Sequence, residues 1–330
     1  MQKFICNFTK TLLISTYQVL FCLLVSCNYS QATEVPHLEC ETKGDDYALI
    51  SFASFSPDGN KIVTANSRGS SHILDAKLGN ILQELAEPVL APGFGIQSSA
   101  DFADFSPDGK KVVLASFSNG VRIWDTLTGR QSRVLDAGRT LSAHFSPDGK
   151  KIVTAELARV ARIWDAESGK ILQTLTHTGN VYFASFSPDG KKIVTASSDR
   201  VAQIWDAESG MELHKLVGHT DQVTSASFSP DGKRIVTASE DRSVRIWDTA
   251  SGKELQHQQG DCKYAFFSPD GKKLVTASGT VRILDVESGK ELLQLEEYYN
   301  SATFSPDGKK IVVSTVVTVQ IWVVEPALSR

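Results

Sequence analysis

Phe186-Ser187-Pro188-Asp189-Gly190-Lys191-Lys192-Ile193-Val194-Thr195-Ala196 sets a tight turn directly against a strand. Proline presets φ at the second turn position and aspartate suits the third. Glycine takes the left-handed conformation that returns the chain as a hairpin. The β-branched run Ile193-Val194-Thr195 then reads as a strand. Phe-Ser-Pro-Asp-Gly occurs seven times, beginning at Phe55, Phe105, Phe145, Phe186, Phe228, Phe267 and Phe304. A second marker follows each copy: Leu74-Asp75, Trp124-Asp125, Trp164-Asp165, Trp205-Asp206, Trp247-Asp248, Leu284-Asp285 and Trp322-Val323. It lies 19 residues after the phenylalanine in five repeats, then 17 and 18. Two markers in register over seven copies define a repeat of about 40 residues.

Each copy also carries an alternating strand such as Val244-Arg245-Ile246-Trp247, a turn such as Ala207-Glu208-Ser209-Gly210, and an outer run such as Ile171-Leu172-Gln173-Thr174-Leu175. Four short strands per repeat is the content of a propeller blade. The repeats resemble the WD40 family over about residues 36–325. That resemblance implies an all-β, seven-bladed propeller of four-stranded blades. It also implies a protein that holds partners rather than one that catalyses. The last repeat stops after its third strand, so Pro36-His37-Leu38-Glu39-Cys40-Glu41 is expected to supply the missing outer strand and remove an aggregation-prone edge. The resemblance further implies a hydrogen-bonded network linking Trp N–H through Ser and His to Asp. The residues concerned are His177, Ser197, Asp199 and Trp205 in blade 4, and His219, Ser239, Asp241 and Trp247 in blade 5. No other repeat has all four, so blades 4 and 5 are expected to be the best locked; the family's Gly-His dipeptide survives only as Gly218-His219, so hydrogen bonding around the ring is expected to be uneven.

The 330 residues are 41% hydrophobic and carry a net charge of −4, which gives nucleic acid no basic face. No nucleophile elbow, His-Glu-x-x-His or Walker loop occurs, and the seven histidines lack metal-ligand spacing. Neither cofactor nor metal is expected. The competing readings are an exported propeller hydrolase with its site at the ring centre, and an intracellular scaffold.

Partner contacts are expected where the repeats differ, on the face carrying the outer-to-inner connections and the loops before the Trp strand. The position before the network Asp holds Phe117, Leu157 and Glu240. Four residues before the anchor phenylalanine stand Asp101, Leu141, Tyr182 and Lys263, and two residues earlier Arg139 and Tyr298. The first interval is the longest, and its surplus, residues 86–99, brings Phe94 on a Pro- and Gly-rich loop. Aromatic and arginine side chains are the commonest interface anchors. A monomeric ring with a protein or peptide partner is expected.

Residues 1–26 read as an export signal: Lys3 and Lys10, then an apolar stretch to Val25. Leu24-Val25-Ser26-Cys27 is similar to a bacterial lipobox, which would make Cys27 a lipidated first residue in the cell envelope. Cleavage after Ala32 would instead release a secreted protein. Residues 27–35 then form a linker and 326–330 a tail. The membrane would be met only through the lipid.

Overall fold

The seven Ser-Pro-Asp-Gly turns fold identically. In each, the serine hydroxyl donates to the aspartate carboxylate at 2.6 Å, and the glycine has φ of 69–72°. The same hydroxyl accepts the N–H of the first residue of the next strand, at 2.8–2.9 Å. Both side chains of the motif are therefore occupied in holding the hairpin. The aspartate of the second marker is occupied too. Asp165, for example, accepts the N–H and hydroxyl of Ser168 at 2.6 Å, closing the turn to the outer strand.

The computed structural model describes residues 36–43, 49–67, 71–85, 100–118 and 120–324. Cys27 and Phe94 lie outside the described residues. From Pro36 onward the chain forms one unit, an all-β ring of seven antiparallel blades, that is, a seven-bladed β-propeller. The innermost strands are Ile50–Phe55, Phe102–Phe105, Thr140–Phe145, Val181–Phe186, Val223–Phe228, Tyr264–Phe267 and Ser301–Phe304. Each packs on the next, and the seventh packs on the first. The turns repeat that closure. A methyl group placed on any turn glycine would come within 3.5–3.9 Å of the proline Cδ one blade back, and Gly59 meets Pro306 across the seam between last and first blade. Among the described residues, no helix is long and apolar enough to cross a membrane.

The N-terminal strand closes the last blade. His37–Lys43 pairs antiparallel with Thr318–Val323, from His37 opposite Val323 to Lys43 opposite Thr318. A register shift between Leu38 and Cys40 skips Glu39, whose carboxylate meets Lys310 at 2.6 Å. Blade 6 departs from its neighbours. Its second and third strands merge in the run Lys273–Asp285, whose first half pairs with Tyr264–Phe267 and second half with Glu291–Tyr299. Gly279, at φ +72, stands between the halves. Leu284 replaces the tryptophan there, and a cavity of about 250 Å³ lined by Leu284, Thr276, Arg282 and Cys262 opens beside it. Burial pushes the Cys262 thiol up to about 12. Cys262 and Cys40 are both free thiols.

The channel is filled by side chains that alternate along the innermost strands. Three residues before the anchor phenylalanine, Phe52, Phe102, Phe183 and Tyr264 point rings into it. Phe52 and Phe102 lie 4.2 Å apart, Phe102 and Phe183 5.7 Å. The other three blades place Ser142, Ser225 and Ser301 there, and each hydroxyl accepts an N–H of the next blade at 3.2 Å. Two residues nearer the turn, Ser54, Ser185, Ser227 and Thr303 donate to a carbonyl of the next blade at 3.1–3.2 Å. This hydroxyl girdle is interrupted by Asp104, His144 and Phe266. His144 Nδ1 and the Asp104 carboxylate bond to each other at 3.1 Å.

Candidate functional site

The hydrogen-bonded networks differ blade by blade. In blade 5, Trp247 donates to Thr237 Oγ1 at 2.9 Å, Thr237 meets His219 Nε2 at 2.7 Å, and His219 Nδ1 meets Asp241 at 2.9 Å. The hydroxyl in this relay is Thr237, where Ser239 was expected. Register gives the reason: Trp247 stands opposite Ile235, so Thr237 is its diagonal neighbour, while Ser239 lies one pleat further away. Ser239 instead accepts the Asp241 N–H and donates to Asp221 O, both at 3.1 Å. Burial pushes the Asp241 carboxyl up. Hydrogen bonds from Ser243, the Thr220 N–H and His219 outweigh it and bring the group down to about 2.

Blade 4 holds the same four residues without the same relay. Trp205 donates to Thr195 at 2.8 Å, but Thr195 donates onward to the Gln203 carbonyl at 3.3 Å. Neither ring nitrogen of His177 makes a hydrogen bond of ordinary geometry. Burial, helped by the charge of Lys215, drives this imidazole down to about 4, with only partial relief from Asp199 and Gln203. Asp199 is bonded by Thr178 at 2.6 Å, and Ser197 accepts the Asp199 N–H at 3.4 Å. The relay from Trp through His to Asp that was expected in blade 4 is therefore not formed there.

Blade 3 reaches the same end with other chemistry. Trp164 donates to Thr154 at 2.9 Å, Thr154 bonds Glu156 at 3.0 Å, and Arg162 pairs with the Glu156 carboxylate, which is 1% exposed. Burial pushes Glu156 up to about 6 against the pull of Arg162. In blade 2, Leu114 stands in the Thr position, and the buried Trp124 N–H has no partner.

The variable face brings some of the expected contact residues together. Phe117 is 41% exposed, and the Arg139 guanidinium lies 5.0 Å from its ring centroid. The Phe117 N–H donates to the Asp101 carboxylate at 2.8 Å, so the loop is pinned while its ring stays in solvent. Asp101 is thus a half-buried loop anchor. Burial pushes its carboxyl up, opposed by the Phe117 N–H and by the charge of Lys263. The Lys263 ammonium sits 5.2 Å over the Tyr264 ring. The Leu157 N–H donates to Arg139 O at 3.0 Å, which places this half-buried leucine beside the Phe117 pair. Leu141 is also half-buried. Tyr182 donates its hydroxyl to the Gln222 side chain one blade on, so it ties a seam. Glu240 is exposed, its N–H held by Gln222 O at 2.9 Å. Tyr298 is 71% exposed and lies over Gly279 of the blade 6 hairpin.

Three residues on this face escaped the sequence reading. Arg159, Arg200 and Arg242 occupy the same place in the hairpins of blades 3, 4 and 5, with φ of 63°, 73° and 63°. All three are exposed. Left-handed backbone favours glycine or asparagine, and arginine there is strained. The signal was available: a fixed turn position, 14 residues past the anchor, filled by one charged residue type in three consecutive repeats.

Among the described residues, no three His, Cys, Asp or Glu side chains cluster as metal ligands would. The family model described as WD domain, G-beta repeat matches residues 169–206 and 210–248. Each match starts just before one blade's outer strand and ends at the Trp-Asp pair of the next. The family unit is thus staggered by one strand against the blade, which is why the ring needs a strand from its other end. The matched segments are the two that contain His177 and His219. No curated protein matches the chain.

Proposed function

We propose that the protein is a non-enzymatic interaction scaffold that holds a protein or peptide partner on the face carrying Phe117 and Arg139. WD40 repeats generally mediate protein–protein contacts, and the matched repeats give that reading its starting point. One observation carries it to a place: an aromatic ring whose loop is pinned in solvent by a half-buried carboxylate and which is faced by an arginine. An exposed ring contributes little to folding, whereas aromatic and arginine anchors dominate interface energetics. Arg159, Arg200 and Arg242 extend the surface across the next three blades.

The test pairs a binding titration with a melting curve. Phe117→Ala weakens partner binding by about 1–3 kcal/mol and leaves the melting midpoint unchanged. Early melting with normal binding would place this ring in the core and the partner elsewhere.

The proposal also sets the scaffold in a bacterial envelope, exported through residues 1–26 and anchored by lipid on Cys27. Its support is the sequence pattern Lys3, Lys10 and Leu24-Val25-Ser26-Cys27. Mass analysis of the mature N-terminal peptide tests it. An unmodified Cys27 within an intact N-terminus sinks the anchor, and a chain starting at Thr33 replaces it with secretion.

A further inference from the structure

The opposite face, with its seven matching turns, carries an asymmetric feature at its centre. At the channel mouth a cavity of about 280 Å³ opens between the aromatic plug and the turn prolines Pro269 and Pro306. Its wall includes Phe52, Phe102 and Phe266, and the residues that break the hydroxyl girdle gather there: Asp104, His144 and Phe266. At four seams a hydroxyl at this level bonds the next blade. Asp104 makes no such bond, since a carboxylate cannot donate to a carbonyl. At this level of its seam the His144 contact takes that place.

The electrostatics of the cavity are one-sided. No lysine or arginine among the described residues lines it. His144 Nδ1 is bonded to Asp104, while its Nε2 is buried and has no partner. The bond to the imidazole fixes the orientation of the carboxylate. Phe102 and His144 pack at 4.6 Å, which fixes the pair against the plug. Aromatic faces attract cations, and a half-buried carboxylate beside them adds a point charge and hydrogen-bond acceptors.

We infer that the turn-face mouth of the channel binds an alkylammonium group, its chain against the Phe52, Phe102 and Phe266 rings and its charge against Asp104. The group belongs either to a free amine or to a lysine side chain of a peptide. The site shares no named residue with the Phe117 face, so it stands whether or not that face binds a partner.

Calorimetric titration of the full chain tests it. The probes are n-butylammonium chloride, uncharged 1-butanol, and a short peptide with one lysine. Butylammonium should bind saturably, and butanol at least tenfold more weakly. Asp104→Asn should weaken butylammonium at least tenfold, while Phe117→Ala leaves it unchanged. A lysine peptide that competes with butylammonium assigns the group to a peptide; one that does not assigns it to a free amine. Absence of saturable binding, equal binding of butanol, or full affinity in a folded Asp104→Asn chain overturns the proposal. Should Asp104→Asn melt early, Phe266→Leu reads the aromatic half, and unchanged affinity there overturns it equally.

Discussion

Blades 4 and 5 carry His, Ser, Asp and Trp at four matching offsets, and their strands pair in matching register. In blade 5 the relay runs unbroken from indole to carboxylate, whereas in blade 4 the imidazole stands alone. The residue before the histidine accounts for the difference. Gly218 precedes His219, and a methyl group there would lie 2.7 Å from Arg245 Nη1 and 3.1 Å from the Trp247 indole. The backbone approaches the indole that closely only because nothing is attached to it. Thr176 precedes His177, so the same approach is closed. The ring centroids lie 5.3 Å apart in blade 4 and 6.2 Å in blade 5, so His177 packs against its indole where His219 reaches past it to Thr237 and Asp241. The identity of the polar residues matters less than the one position that lets them meet.

Thr237→Val should separate the two blades most. It strands both the Trp247 N–H and His219 Nε2, at a cost of roughly 2–6 kcal/mol from two unsatisfied buried groups. Thr195→Val strands Trp205 alone and should cost about half as much. Equal shifts in melting midpoint would mean the blade 5 relay is not cooperative.

Acid should find blade 4 next. His177 titrates near 4 in the folded chain and near 6.5 unfolded, so between those values the unfolded state binds more protons. The contribution of neutral, buried His177 is complete above about pH 6.5. It is lost as pH falls toward 4, by about 3 kcal/mol in all. Glu156 opposes this: its folded value of about 6 lies above 4.5, so its burial costs stability as pH rises through that interval. His177→Asn should flatten the acid limb of a melting-versus-pH curve, and Glu156→Gln should steepen it. An unchanged acid limb in His177→Asn would show that His177 is solvated.

Asp241→Ala leaves His219 without its acceptor and should cost about 1–3 kcal/mol. Asp199→Ala removes a carboxylate that His177 does not reach, and under about 1 kcal/mol is expected. Urea midpoints for the two variants check the contrast.

The smallest effect is Thr176→Gly. Glycine in a strand costs about 0.5–1 kcal/mol, offset by whatever His177 gains on meeting Asp199. The net shift should lie within about 1 kcal/mol. The sharper readout is the ¹⁵N spectrum of the imidazole, which should change to that of a hydrogen-bonded ring.

The blades and the closing strand were legible because they depend on local chemistry. Pro188 and Gly190 act through their own backbone angles, and the spare stretch at Pro36 was visible from counting strands. Thr237 was not legible as the relay hydroxyl, because that depends on a diagonal between two strands rather than on spacing along one. The Asp104–His144 pair joins two blades, and each residue alone looks ordinary. Phe117 and Arg139 were picked out as breaks in a repeat, and the structure brings them into contact. Asp101 was placed on the same surface, but its role as the anchor of the Phe117 loop required the folded loop to be seen.

The strand from His37 to Lys43 has a mechanical consequence. Tension applied between the residues before Pro36 and the chain after Val323 acts at the His37–Val323 end of the pairing, so it loads one rung of the ladder at a time. That is an unzipping geometry, in which the rungs break in succession rather than sharing the force. The Lys310–Glu39 bridge lies at the skipped residue two positions in, where the ladder is already interrupted. A ring pulled by its two ends would therefore shed this strand first, exposing the edge of Thr318–Val323 while six blades keep all their own strands.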